Sequence, residues 1–263
     1  MAYLRCLMDI LTLGFLASLA AGLMTGVGAL PVLVGRTVSQ RAADAFLGFA
    51  AGVMLSASFF SLILPGIDAA TPDYGKTGAA FVAAGGLALG AGFVAVLNHL
   101  LPHEHFETGR EGVGSAKLAK IWLFVIAITI HNFPEGLAVG VGFGGGNVEN
   151  GVSLAIGIGL QNAPEGLAVA VALLANGYSR GRSFLIAAAT GLVEPVGGAL
   201  GVLAVSAGDA ILPWGLTFAA GAMLYIISHE IIPETHANGN QNRATLGLIV
   251  GLILMMILDV SLG

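Results

Sequence analysis

Long apolar runs separated by short polar connections repeat from one end of the chain to the other. The runs fall at about residues 10–34, 42–66, 78–100, 118–142, 152–176, 182–206, 211–233 and 245–262. Each is long enough to cross a hydrocarbon core of roughly 30 Å. Between them lie turn-forming or charged segments such as GRTVSQR, GIDAATPDYGKTG, LPHEHFETGREGVGSAK, GGGNVENG and NGYSRGR. The pattern predicts an all-α polytopic membrane protein of eight transmembrane helices, packed as a single domain over residues 1–263. The first run is longer than a signal-peptide core and lacks a small-residue cleavage site before the next helix. It is therefore expected to stay as the first membrane helix.

Composition strengthens the reading. Only 10% of the residues are charged and 56% are hydrophobic, against about 25% charged in a soluble domain, so the bilayer is the expected solvent and partner. No basic run interleaved with aromatics points to nucleic acid. The single cysteine, Cys6, excludes an intrachain disulfide framework and a cysteine-based metal site. Arg36, Arg41, Arg110, Lys117, Lys120, Arg180, Arg182 and Arg243 sit in the first, third, fifth and seventh connections. Arg5 and Lys76 alone fall on the other side. Under the positive-inside rule both termini are extracytoplasmic.

Two internal repeats carry more than composition does. Phe49-Ala-Ala-Gly-Val-Met-Leu55 matches Phe218-Ala-Ala-Gly-Ala-Met-Leu224 at six of seven positions. The two copies lie in the second and seventh predicted helices, which run in opposite directions, as an inverted repeat of helices one to three onto six to eight requires. Two independent small-residue packing faces are the alternative reading, since Gly and Ala are common in membrane helices. The second repeat is His131-Asn-Phe-Pro-Glu-Gly-Leu-Ala-Val139 against Gln161-Asn-Ala-Pro-Glu-Gly-Leu-Ala-Val169, in the antiparallel fourth and fifth helices.

Helical spacing brings His131, Asn132 and Glu135 toward one face, and likewise Gln161, Asn162 and Glu165. Pro134 and Pro164 cannot donate to the carbonyls of Ile130 and Leu160 and are expected to kink both helices. Gly136 and Gly166 permit close helix approach. A carboxylate at mid-bilayer costs on the order of 2.5–3.5 kcal/mol. Glu135, Glu165 and Glu194 of the sixth helix share that depth with no Lys or Arg beside them. A divalent cation would neutralise them, and the imidazole of His131 favours a transition metal over Mg²⁺ or Ca²⁺.

Other residues have weaker claims. Met54 offers a thioether but equally a core filler. Ser228-His229-Glu230-Ile-Ile-Pro233-Glu234-Thr235-His236 fails as H-E-x-x-H because Pro233 stands where the second histidine belongs. His103, Glu104, His105 and Glu107 lie in a polar connection, and Asp259 is an intramembrane acid without an identifiable partner. Two competing functions fit parts of the pattern. An intramembrane metallohydrolase would use the metal to activate water, but no nucleophile is positioned for it. A proton or sodium carrier would explain the acids and leave His131 and the amides without a role.

The paired motifs, with Glu194 and the His229-Glu230 pair, resemble the ZIP (Zrt/Irt-like protein) family of zinc and iron uptake transporters, in particular its bacterial members. The resemblance covers essentially the whole chain. It implies a 3+2+3 inverted arrangement of eight helices in the bacterial inner (plasma) membrane, and import of Zn²⁺ as transported substrate, with Cd²⁺, Fe²⁺ or Mn²⁺ as further cargo. It also implies a binuclear centre. One ion would be held by His131, Glu135, Gln161 and Glu165 with Met54 nearby, the other by Asn132, Glu135, Asn162, Glu165 and Glu194. His229, Glu230, His103 and His105 would line the release route. Many relatives have histidine where this chain has Gln161, a harder and weaker ligand that broadens the expected metal range. An alternating-access, elevator-like carrier that is not an enzyme, and a homodimer joined through Gly/Ala faces, complete the expectation; a selective channel is the other transport mechanism open to such a site.

Overall fold

The computed structural model describes residues 2–35, 39–100, 103–105, 109–111, 120–237 and 239–262. These form helices α1 (Ala2–Ala29), α2 (Gln40–Ala57), α3 (Leu64–Leu100), α4 (Lys120–Gly144), α5 (Val148–Ala175), α6 (Arg180–Thr190), α7 (Glu194–Ser206), α8 (Leu212–Ile226), α9 (Ile232–His236) and α10 (Gln241–Leu262). A short antiparallel hairpin of β1 (His103–His105) and β2 (Gly109–Glu111) pairs His103 with Glu111. Wider π turns at Ser58–Ile63 and Ile227–Ile231 join α2 to α3 and α8 to α9 without ending the helix. Several helices begin where a polar side chain accepts an otherwise orphaned amide: Ser39 from Ala42, Asn147 from Asn150 and Ser179 from Arg182.

Among the described residues seven continuous helical stretches are long and apolar enough to cross a membrane. Six match predicted helices to within a few residues. The seventh, Gln40–Leu100, replaces two predicted helices and the loop between them. That loop is where the structure corrects the expectation: Pro72 and Asp73 lie inside the helix, and only Gly75 leaves it, at φ 65° and ψ 171°, a region essentially reserved for glycine. One such residue suffices to turn the chain. A Cβ on Gly66 would lie 2.7 Å from Thr217 Cγ2, and one on Gly86 1.9 Å from Thr217 Oγ1. A straight helix would hold those glycines about 30 Å apart. Ile67, Ala70, Ala79 and Val82 accordingly pack in one cluster across the bend.

Glycine also sets how closely the helices approach. The shortest backbone contacts fall into two sets. In one, Gly22 abuts Gly191, Gly28 abuts Ala163, Gly166 abuts Thr25, Gly136 abuts Glu194 and Gly140 abuts Gly198. These bind α1, α4, α5, α6 and α7. In the other, Gly52 abuts Leu248, Gly251 abuts Phe49, Gly90 abuts Phe218 and Gly221 abuts Leu87, so α2 grips α10 and α3 grips α8. Large apolar side chains cover the outside; Phe81, Leu185, Leu246 and Val260 are all more than 60% exposed. Such a surface is stable against lipid rather than water.

Candidate metal centre

Both repeated motifs fall within continuous helices, His131 to Val139 in α4 and Gln161 to Val169 in α5, with Pro134 and Pro164 inside them. Glu194 is the first residue of α7, after a 3-10 turn at Gly191–Val193. The 3-10 turn tightens the sixth predicted helix without ending it, a detail that sequence periodicity did not reveal. Gly136 presses directly on the Glu194 backbone: a Cβ there would be 2.1 Å from its carbonyl oxygen. This contact holds α4 and α7 close enough for their glutamates to share one pocket.

The pocket is dry. Glu135, Gln161, Asn162 and Glu194 have no solvent exposure, and His131, Asn132 and Glu165 are buried. Glu135 Oε1 accepts from Gln161 Nε2 at 2.5 Å, which ties one motif to the other. Asn162 Nδ2 donates to Glu194 Oε1 at 2.7 Å and to the Ala21 carbonyl at 2.9 Å, anchoring the second motif to α1. Glu135 lies within electrostatic range of Glu165 and Glu194, as does Glu194 of Glu165. Three carboxylates repel one another there, and the stretch from residue 121 to residue 179 contains no Lys or Arg.

Side chains of the motifs keep donor atoms in reserve. Among the described residues, both oxygens of Glu165, Glu135 Oε2, Glu194 Oε2, Gln161 Oε1, Asn162 Oδ1 and both polar atoms of Asn132 are buried without a hydrogen bond. Buried polar atoms almost always find partners, so this many unpaired oxygens in one pocket form a donor set that suits a cation. Yet no three His, Cys, Asp or Glu side chains among the described residues stand as a ready metal cage. The amide NH₂ groups of Gln161 and Asn162 occupy carboxylate oxygens of Glu135 and Glu194, and the imidazole of His131 contacts Glu230 Oε2. A cation held here would draw on the unpaired oxygens and compete with the amide and imidazole contacts already made.

Glu230 is buried and lies beside His131. Asn98, which no sequence motif singles out, donates to its other oxygen at 2.6 Å. His229 is exposed and its ring lies 4.9 Å from that of Tyr225. His103 and His105 are placed by backbone alone; their side chains lie outside the described residues. Met54 is fully buried in the main core with Ala138, Leu154 and Ile158. Asp259 does have partners: it accepts from Ser61 at 2.5 Å and from Ser153 at 2.7 Å, while Asn150 donates to the Ser61 carbonyl at 3.0 Å. Three hydroxyl and amide residues at matching depth in their helices were the only sequence sign of that cluster.

Residues 102–259 match the family model described as ZIP Zinc transporter. The chain is 50% identical to Zinc transporter GufA of Myxococcus xanthus, over 95% of this chain and 99% of that protein. It is also 50% identical to Zinc transporter ZIPB of Bordetella bronchiseptica, over 95% of this chain and 81% of that protein. Zinc transporter ZIP11 of Homo sapiens is 37% identical over 91% of this chain and 94% of that protein.

Proposed function

The chain belongs to the ZIP family of zinc transporters, and from that premise we propose that it imports zinc into the cytoplasm through a binuclear centre at mid-membrane. The observation that carries the ligand assignment is the set of converged, buried, unpaired oxygens. His131, Glu135, Gln161 and Glu165, with Met54 nearby, hold one ion. Asn132, Glu135, Asn162, Glu165 and Glu194 hold the other, so Glu135 and Glu165 bridge. Two dications offset three carboxylates in a place where each charge is costly alone. Because Gln161 supplies an amide oxygen rather than an imidazole, Cd²⁺, Fe²⁺ and Mn²⁺ are also carried.

Eight crossings and an inverted repeat organise the path. The bend at Gly75 divides Gln40–Leu100 into two crossings, and the repeat has support beyond its seven residues. Each π turn begins at the same distance beyond its heptapeptide, Ser58 after Phe49 and Ile227 after Phe218. Gly52 meets Leu248 as Gly221 meets Leu87, and Gly251 meets Phe49 as Gly90 meets Phe218. Even the polar pairs correspond: Ser61 with Asp259 on one flank of the centre, Glu230 with Asn98 on the other. By the charge rule the Asp259 flank faces outward and the Glu230 flank faces the cytoplasm, with His229, His103 and His105 beyond it and both termini outside. Zinc passes from one flank to the other as α1 and α4–α7 move against α2, α3, α8 and α10. Ala84, Ala88 and Gly92 form an exposed small-residue face on α3, which supports a homodimer.

The test is zinc uptake into proteoliposomes by Glu165→Ala at matched protein levels. Uptake is expected to fall to that of protein-free vesicles; retention of half the wild-type rate would remove Glu165 from the pathway. The hydrolase alternative draws no support from relatives that are all zinc transporters.

A further inference from the structure

A second binding surface lies behind the centre, and its chemistry suits hydrocarbon rather than an ion. A cleft of about 350 Å³ runs between α3 and α4, lined by Leu97, Ile126, Thr129, Ile130, Phe133 and Val193. The lone polar side chain is satisfied internally, since the Thr129 hydroxyl donates to the Val125 carbonyl at 2.8 Å. The cleft thus presents only apolar surface. It also opens sideways into lipid: Val96 and Leu100 on one bank and Leu192 and Val196 on the other are exposed.

Depth identifies the occupant. Ile130, Phe133 and Val193 are the chain neighbours of His131, Asn132 and Glu194, so the cleft stands at the level of the ion site, in mid-hydrocarbon. Neither water nor an unpaired polypeptide backbone is stable there. The volume lies within the range of ordinary small-ligand sites. We propose that this cleft binds one acyl chain of a bilayer phospholipid. Such a chain fills the space behind Ile130, Phe133 and Val193, keeps water from the back of the carboxylate cluster, and so preserves the low dielectric that makes ion binding strong.

The cleft also lies where the two helix sets meet. Leu97 belongs to α3, whereas the other lining residues belong to α4 and to the turn before α7. The Phe93 and Phe133 rings face each other across the boundary at 6.5 Å. Resting on the two-body motion proposed above, a bound chain is squeezed or released on each transport cycle, which makes the rate sensitive to acyl structure.

Photolabelling tests the site without assuming that motion. The full chain is placed in phosphatidylcholine nanodiscs doped with a phosphatidylcholine bearing a diazirine on its acyl chain, irradiated, and mapped by peptide mass spectrometry. Adducts are expected at Leu97, Ile126, Ile130 and Phe133 at several times their frequency at Leu89, Leu185 and Leu246, which also face lipid. Ile126→Trp should empty the cleft of adducts while sparing the other positions. Leu97→Phe, on the opposite wall, gives a second reading if the first variant folds poorly. Labelling spread evenly over cleft and outer surface, or unchanged in the filled variants, overturns the acyl site. The two-body reading stands or falls separately, on whether a cysteine bridge between the two helix sets stops transport.

Discussion

Under the proposed ligand set, Gln161 is the residue through which metal preference would be tuned. Its Nε2 donates to Glu135 while its Oε1 lies buried and unpaired, and any rotation that turns this oxygen onto a shared ion breaks the bond to Glu135. Rotation gives up one hydrogen bond to a charged group, worth about 1.5–3 kcal/mol. Histidine at this position would offer a nitrogen donor, which zinc accepts readily and manganese less so. Gln161→His is therefore expected to raise zinc affinity and sharpen zinc over manganese selectivity by about tenfold, measured by competition uptake in proteoliposomes. An unchanged or inverted preference would place residue 161 outside the coordination sphere. Glu165 makes the opposite kind of prediction. Both its oxygens lack hydrogen-bond partners, so Glu165→Gln removes a costly buried charge and should raise the thermal midpoint of the metal-free protein. The same change should shrink the shift that zinc produces; an increase in both would argue against a ligand role.

At the scale of helices, glycine positions separate packing from mere composition. A Cβ on Gly136 would collide with the Glu194 backbone at 2.1 Å, whereas one on Gly92 would meet nothing within 4 Å. Gly136→Ala is expected to destabilise by about 1–3 kcal/mol through forced separation of α4 and α7. Gly92→Ala should stabilise slightly, by up to about 1 kcal/mol, because alanine is the better helix former. Thermal unfolding in detergent distinguishes them, and equal effects would mean that contact between Gly136 and Glu194 does not limit the packing of α4 on α7. The helices were readable from sequence because apolar length is an unambiguous signal in a membrane chain. The bend of α3 at one glycine was not, since Asp68, Pro72 and Asp73 look like loop residues and yet continue the helix to Tyr74. The doubled Asn-x-Pro-Glu-Gly motif made the buried polar cluster legible, because carboxylates in apolar surroundings demand company and the two copies fall at one depth. Asn98 and Ser61 were not legible, for a single polar residue in a span acquires meaning only when its partner, Glu230 or Asp259, is brought beside it.

For the whole molecule, the decisive feature is where backbone touches backbone. Within α1 and α4–α7, and within the α2–α10 and α3–α8 pairs, glycines let main chains meet almost directly. Across the boundary between these sets the corresponding contacts end on side chains: Gly157 meets the Met255 thioether, Gly145 meets Leu212, and Gly215 meets Val205 and Val141. Interlocked backbones resist sliding, whereas side chains can change rotamer as one surface passes another, so the weak plane coincides with the edge of the carboxylate cluster. Alternating access by the proposed movement of α1 and α4–α7, which carry the site, then requires motion at that plane. A cysteine pair placed on it, Gly215→Cys with Val141→Cys in a Cys6→Ser background, should stop zinc uptake when oxidised and recover it when reduced. The pair Gly86→Cys with Thr217→Cys, inside one set, has a Cβ separation of 2.9 Å before adjustment. It is expected to close with little effect on uptake. Transport that continued at full rate through an oxidised Gly215–Val141 bridge would mean that ions cross without relative movement of the two sets, and the site would then operate as a channel.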